Sequence, residues 1–176
     1  MDKLLGFTPD AEATTPGILT DCTNVIPYES GMKGAPTGAI PSGIAALAAE
    51  CRGAAVITKL DDSRRLFAGT ASKLYEVNGS AWTDVSRAGN YSGGVDTRWS
   101  FTQFGNATIA ANLADTIQRS NTSGAFADIA GAPKAKIVFA VGTQIMALNV
   151  NDGAVKQNGW HCSASFDDTD WTEDVA

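Results

Sequence analysis

The chain has 176 residues, of which 44% are hydrophobic and 18% charged, and its formal net charge at pH 7 is −6. This length fits about one to one-and-a-half domains, and the hydrophobic fraction excludes global disorder. The acidic balance argues against a protein that grips nucleic acid through its phosphates, since that affinity comes from Lys and Arg. No apolar run reaches the roughly 18–20 residues that span a bilayer, and no secretory signal is visible, so we expect a soluble protein made in a cytosol, without membrane contact.

Residues 1–43 are predicted to form an extended N-terminal arm. Five of the six prolines precede residue 42, and several glycines lie between them. Proline lacks a backbone donor and keeps the residue before it out of the helical region, so this segment cannot form a helix bundle or a central strand. We expect it to lie on another surface, either its own domain or a neighbouring subunit. Residues 44–53 are predicted to be a short helical connector, with Ile44, Leu47 and Ala48 facing inward.

From residue 54 the pattern changes to short β-type runs separated by turn residues. The first unit, about 54–97, contains four predicted strands, and Asn78-Gly79 between two of them predicts a type I′ hairpin. A second unit, about 98–134, repeats the set of four. A third, about 135–176, begins the same way and ends near residues 170–175.

The first two units match residue by residue. The aligned pairs, 42 or 44 residues apart, are Phe67 with Ile109, Tyr75 with Ile117, Trp82 with Phe126, Asp84 with Asp128, and Val85 with Ile129. A repeat of about 40–45 residues with four strands is typical of a β-propeller blade, and one such meander cannot bury both its faces alone. The predicted fold is therefore all-β, with about three four-stranded antiparallel blades. Since rings normally take about 4–8 blades, we expect part of a larger or incomplete propeller. An ordinary sandwich or barrel is the alternative.

Two groups of segments carry a resemblance to a known family. The first group comprises residues 7–10, 14–27 and 31–36; the second comprises 67–70, 74–75, 82–86, 99–101, 104–106 and 132–136. Together they resemble the β-propeller-bearing structural proteins of short-tailed bacteriophages, of the tail hub or nozzle kind. The resemblance implies a non-enzymatic virion component, made in the host cytoplasm and assembled in several copies beneath the portal as part of the DNA conduit. Family members are longer than 176 residues.

The resemblance also implies partners. We expect copies of the chain in a ring, other tail or head-to-tail proteins held by the N-terminal arm, and DNA that passes without specific binding. An acidic wall would repel the phosphates of that DNA. Two alternatives stay open: a glycan- or receptor-binding module at the tail tip that uses exposed Trp or Tyr, and a hydrolase on a propeller scaffold.

Candidate chemistry is sparse, and we predict no catalytic, cofactor-binding or metal-binding residue and no cofactor. The densest carboxylate cluster, residues 167–170, could offer oxygens to Ca²⁺ but is more simply a turn. Asp61 and Asp62 are interpreted as a turn with a local ion pair to the adjacent arginines, and residues 89–94 as a flexible loop. The four tryptophans are expected to pack between blades, and Cys22, Cys51 and Cys162 to be structural. His161 with Cys162 supplies at most two metal ligands.

Overall fold

A computed structural model describes residues 43–172 and, before them, residues 6–7, 10, 12, 14–15, 18–19, 25–28 and 31–34. The chain divides into two units, Met1–Ser42 and Gly43–Ala176. Regular structure in the described residues is entirely β, with no helix. The all-β prediction is therefore confirmed.

The compact unit Met1–Ser42 contains two small strand pairings. Strands β1 (Gly6–Phe7) and β2 (Ile18–Leu19) pair in parallel, and β3 (Val25–Tyr28) and β4 (Gly31–Gly34) form an antiparallel hairpin. No described strand here exceeds four residues, in keeping with the density of proline and glycine. The rest of the predicted arm lies outside the described residues, and its packing on another surface stays a prediction.

The helical connector predicted over residues 44–53 is not formed. Residues 44–52 are in neither helix nor strand, and Gly53 already begins the next strand. The backbone of this segment bonds outward instead of to itself: the amide of Ala45 donates to the carbonyl of Ser80 at 2.9 Å, and the indole of Trp82 donates to the carbonyl of Ala45 at 3.0 Å. These bonds replace the i to i−4 bonds that a helix needs.

The compact unit Gly43–Ala176 contains three antiparallel meanders, in which strands that are neighbours in sequence are also neighbours in the sheet. The first sheet comprises β5 (Gly53–Thr58), β6 (Arg64–Gly69), β7 (Leu74–Asn78) and β8 (Ala81–Asp84). The second comprises β9 (Ser100–Phe104), β10 (Ala107–Ala111), β11 (Gln118–Ser120) and β12 (Ala127–Asp128). The third comprises β13 (Lys134–Val141), β14 (Gln144–Asn151) and β15 (Val155–Cys162). The four-stranded antiparallel sheets predicted for the repeats at about 54–97 and 98–134 are thus confirmed, and each described sheet is open.

The described residues of the third repeat form three strands, and the fourth strand, predicted near residues 170–175, falls largely on residues 173–176, which lie outside the described part of the chain. Residues 170–172, where the last strand was expected to begin, form no strand. The side chain of Asp170 accepts from the amide of Thr172 at 3.0 Å, and the carbonyl of Asp170 accepts from the amide of Ala164 at 2.8 Å. The second of these bonds holds Asp170 close to Ala164, two residues after the end of β15.

Three of the hairpins share one turn geometry. The two-residue turns begin at Gly79, Gly105 and Gly142, whose φ angles are +62°, +54° and +55°. A positive φ at the first central position only, taken by glycine, is the mark of a type II′ turn. The predicted hairpin after β7 is confirmed, but its type is not: Asn78 is still in the strand, opposite Ala81.

The hydrophobic core has two parts, one on each side of the second sheet. One cluster joins the first and second sheets and contains Phe67, Trp99 and Phe126; the other joins the second and third and contains Ile109, Val138 and Ile145. All five residues of β10 are buried. The second sheet is therefore covered on both faces, as stacked meanders require.

The hairpin registers correct one pair of the sequence alignment. In the first sheet the amide of Val85 donates to the carbonyl of Leu74 at 2.9 Å, and in the second that of Ile129 donates to the carbonyl of Ile117 at 3.0 Å. Leu74 and Ile117 are both fully buried. The counterpart of Ile117 is therefore Leu74 and not Tyr75, because the second repeat has one residue more between its middle strands.

Candidate functional site

The outward side of the third sheet is an apolar face, which we name the third-sheet outer face. Two cross-strand rows form it, Ile137–Leu148–Trp160 and Phe139–Met146–Cys162. Residues directly opposite one another share a face, and Val138 and Ala147, which alternate with these rows, point into the core. Trp160 is 61% exposed, Ile137 43% and Phe139 37%. A sheet face this apolar is typical of one that packs against a partner.

The outward side of the first sheet is apolar along two cross-strand pairs, and we name it the first-sheet outer face. Val56 lies opposite Leu66, and Val77 lies opposite Trp82, on the side away from Phe67. Val56 is 61% exposed, whereas Leu66, Val77 and Trp82 are half-buried. The stack of three sheets therefore presents apolar side chains at both ends.

A buried arginine joins the first and second sheets. Arg65, only 4% exposed, uses all three of its nitrogens: it forms a bidentate ion pair with Glu76 at 2.6 and 2.7 Å, and it donates to the Ser120 hydroxyl and to the carbonyls of Asn121 and Gly124. Its guanidinium also stacks 4.6 Å above the Phe67 ring. All five N–H donors of the group thus have an acceptor, which is what a buried arginine requires.

The ion pair predicted between the 61–62 turn and the adjacent arginines is wrong. Asp61 instead accepts from the amide of Ser63 at 3.0 Å and from its hydroxyl, and these hydrogen bonds lower the pKa of its carboxyl. Lys59 lies 3.7 Å from the same carboxylate. Arg65 points into the interface between sheets because strand alternation places it on the side of Phe67.

A second polar network ties the loop after the first sheet to the second sheet. Arg87 bonds to Asp115 at 2.7 Å and to both oxygens of Asp128 at 2.7–2.8 Å. Ser92 donates its amide to Asp115 at 2.8 Å. Burial of Arg87 opposes its charge, but the hydrogen bond and charge of Asp128 outweigh burial and raise the pKa of the guanidinium.

Tyr91 anchors the loop that was predicted to be flexible. Its side chain is 4% exposed. The amide of Tyr91 donates to the carbonyl of Ser72 at 3.0 Å, and the amide of Gly93 donates to the carbonyl of Ala71 at 3.1 Å. Burial raises the pKa of the Tyr91 phenol to about 12. Tyr91 and Gly93 therefore fix this loop to the first sheet, while residues 89, 90, 92 and 94 are exposed.

The acidic run at 167–170 stabilises its own turns. Asp167 accepts from the amide of Thr169 at 2.8 Å, Asp170 caps Thr172, and Asp168 is paired with Arg119 of β11. The hydrogen bonds from the threonines lower the pKa of Asp167 and Asp170. Across residues 43–172 and the shorter described stretches, no group of three His, Cys, Asp or Glu is placed to hold a metal ion.

The four tryptophans divide between core and surface. Trp99 and Trp171 are 7% and 6% exposed and belong to the two core clusters, in agreement with the expected packing between blades. Trp82 is half-buried beside Ala45. Trp160 is not packed between sheets: it lines a cavity of about 680 Å³ together with Gln144, His161, Cys162, Ser163, Asp170 and Trp171.

The two described cysteines differ in how well they fit the expected structural role. Cys162 is half-buried in β15, but Cys51 is exposed outside any strand, where its thiol donates to the carbonyl of Gly53 at 3.4 Å. Cys22 lies outside the described residues.

Sequence reasoning missed the third-sheet outer face, although a signal for it was present. Residues 137–141 form an unbroken apolar run, and such a run is typical of a strand buried on both faces rather than one. One face of this run is covered by the second sheet. The other is the candidate site.

No protein-family model and no curated protein matches the chain. The described residues contain no helix of the length and apolarity that crossing a membrane requires.

Proposed function

We propose that this chain is a structural component of a bacteriophage virion, part of the tail hub or nozzle ring beneath the portal that conducts DNA. In this proposal the three meanders are blades of a β-propeller that the chain forms in part, and the N-terminal arm ties neighbouring subunits together. The observation that carries the proposal is the apolar character of both ends of the stack, since a folded chain with two such faces needs companions.

The charge of the chain supports the same role. A net charge of −6 would give a conduit wall that repels DNA phosphates and lets the genome pass. A basic wall would instead hold the DNA through a salt-dependent attraction. The chain also withholds part of its positive charge from DNA, because Arg65, Arg87 and Arg119 are each paired with a carboxylate inside the fold.

Particle analysis tests this proposal. Tailed particles produced with a peptide-tagged copy of the chain would be purified and imaged after labelling with antibody-coupled gold. We expect gold at the base of the portal in a fixed number of positions per particle. Particles that contain the other tail proteins but not this chain would reject the proposal.

The glycan-binding alternative is favoured by one observation, the exposed indole of Trp160 at the cavity described above. An exposed ring beside amide and carboxylate groups suits stacking on a sugar. A screen of host polysaccharides for quenching of tryptophan fluorescence would test it, with Trp160→Ala expected to abolish the response. Equal quenching in Trp160→Ala, or none in the parent, would reject this alternative.

A further inference from the structure

We propose that the third-sheet outer face binds the first-sheet outer face of a second copy of this chain, head to tail. This inference rests on the proposed assembly role and deepens it by naming the contact through which copies join. It predicts that the stack of sheets inside one chain continues into the next.

The stack inside the chain has a direction. Phe67 in the first sheet and Ile109 in the second hold equivalent positions in their second strands, and each is fully buried on the side that faces the next sheet. We call this the forward side. The equal two-residue turns at Gly105 and Gly142 align β10 with β14, so the corresponding forward residue of the third sheet is Met146.

The backward side carries the complementary pattern. The residues that follow the forward positions are Ala68, Ala110 and Ala147, all of them alanine. Ala110 belongs to the core cluster between the first two sheets, and Ala147 to the cluster between the second and third. A small side chain at this point lets the preceding sheet approach closely.

At the two ends of the stack, the forward side of the third sheet and the backward side of the first do not pack against each other. Met146 is only half-buried, although Phe67 and Ile109 at the same position are fully buried. Ala68, which is itself buried, belongs to neither core cluster, and Val56 on the same side of the first sheet is 61% exposed. Among the described residues of Gly43–Ala176, no sheet thus lies on the forward side of the third sheet or on the backward side of the first, although the segment at Ala45 covers part of that backward side near Trp82.

A second copy supplies what each end lacks. Its first-sheet outer face would lie on the third-sheet outer face as the second sheet lies on the first, covering Ile137, Phe139 and Trp160. Such a contact joins two different surfaces, so it repeats from copy to copy and closes a ring when the rotation permits. A stable interface of this kind buries roughly 1,000 Å² or more, which a sheet face of three eight-residue strands can supply.

The test uses one charge on each face and a matched control. Phe139→Lys places an ammonium on the third-sheet outer face, Val56→Lys on the first-sheet outer face, and Val95→Lys in an exposed loop between the first two sheets, where Val95 is 74% exposed. Sedimentation equilibrium gives the mass of each protein over a range of concentrations. We expect the parent and Val95→Lys to self-associate, and both face variants to stay monomeric with an unchanged circular dichroism spectrum.

Mixing separates head-to-tail binding from other arrangements. Phe139→Lys retains an intact first-sheet face and Val56→Lys an intact third-sheet face, so an equimolar mixture should form one-to-one pairs and nothing larger. A monomeric parent would overturn the inference, since a further sheet from another protein would then be the partner. If Val56→Lys self-associates in the absence of the other variant, the inference is also overturned, because the contact would then join two copies of the third-sheet outer face. Neither result depends on whether the chain is found in particles, so failure of this contact and failure of the virion role are distinguishable.

Discussion

The indole of Trp99 lies directly against Gly69, and this contact sets the distance between the first two sheets. The indole nitrogen donates to the carbonyl of Thr70 at 2.8 Å. A Cβ on Gly69 would come within 2.5 Å of that nitrogen, and one on Gly53 within 2.8 Å of the Trp99 carbonyl oxygen. The ring therefore occupies the space that a side chain at Gly69 would need, and the backbone and Cβ of Trp99 occupy the space next to Gly53. The ring also lies edge-on to Tyr91, with the ring centroids 4.8 Å apart.

Gly69→Ala should separate Trp99 from the first sheet. Since neither the ring nor the strand can move without disturbing the core, we expect a loss of about 2 kcal/mol or more in the free energy of unfolding. Urea denaturation followed by tryptophan fluorescence measures it. Gly94→Ala is the matched control, because a Cβ there meets nothing within 4 Å, and its effect should be near zero. Equal effects of the two substitutions would contradict the contact.

Arg65→Met should leave Glu76 without its partner at the interface between sheets. Breaking a buried ion pair from one side costs about 3–5 kcal/mol, and we expect a loss of that order in the free energy of unfolding. Lys156→Met is the control: Lys156 and Asp152 form an exposed pair at 2.8 Å, and exposed ion pairs contribute little to the free energy of unfolding. A loss for Arg65→Met as small as that of the control would show that Arg65 is solvated.

Tyr91 should make the protein sensitive to alkaline pH. Its pKa is raised from 10.0 to about 12 by burial, so folding favours the neutral phenol. The associated stability is fully present below pH 10 and is lost as pH rises from about 10 to about 12, by an amount on the order of 2–3 kcal/mol. Tyr91→Phe should remove this part of the pH dependence, as measured by urea unfolding at intervals between pH 9 and 12. Parallel profiles for parent and variant would contradict it.

Equivalent positions in different sheets should differ in what they contribute to stability. Ile109→Ala removes a fully buried side chain and should cost about 2–5 kcal/mol. Met146→Ala at the corresponding position of the third sheet, where the side chain is half-buried, should cost less than half of that in the monomer. Thermal unfolding at low protein concentration measures both. A larger loss at Met146 than at Ile109 would mean that the second sheet is not the covered one.

Turn residues and hydrophobic runs predicted most of the strands between Gly43 and Ala176. Gly79, Gly105 and Gly142 mark hairpins because few other residues accept their φ angles, and the buried Phe67 and Ile109 lie in runs that only a strand explains. The alignment of residues between the first two repeats was harder to predict from the sequence. Tyr75 aligns with Ile117 at the spacing of 42 residues that also relates Phe67 to Ile109, whereas burial depends on which face the pleat presents.

The errors share a cause, which is that local patterns do not reveal distant partners. The segment after Gly43 has a helical pattern, but its backbone bonds to residues about 35 positions away, Ser80 and Trp82. Trp160 resembles the core tryptophans in sequence, yet it lies on the face that no described sheet covers. Sequence alone could not separate these cases, since both depend on where the sheets end.

The central claim, that the second sheet is covered on both faces, is tested most directly by nuclear Overhauser effects from β10. Ala110 should show contacts to the cluster that contains Phe67 and Phe126, and Ile109 should show contacts to the cluster that contains Ile145. Both sets together are the result that this arrangement predicts. Contacts from only one of these neighbouring residues, with the other open to solvent, would contradict the stack and every assembly proposal that depends on it.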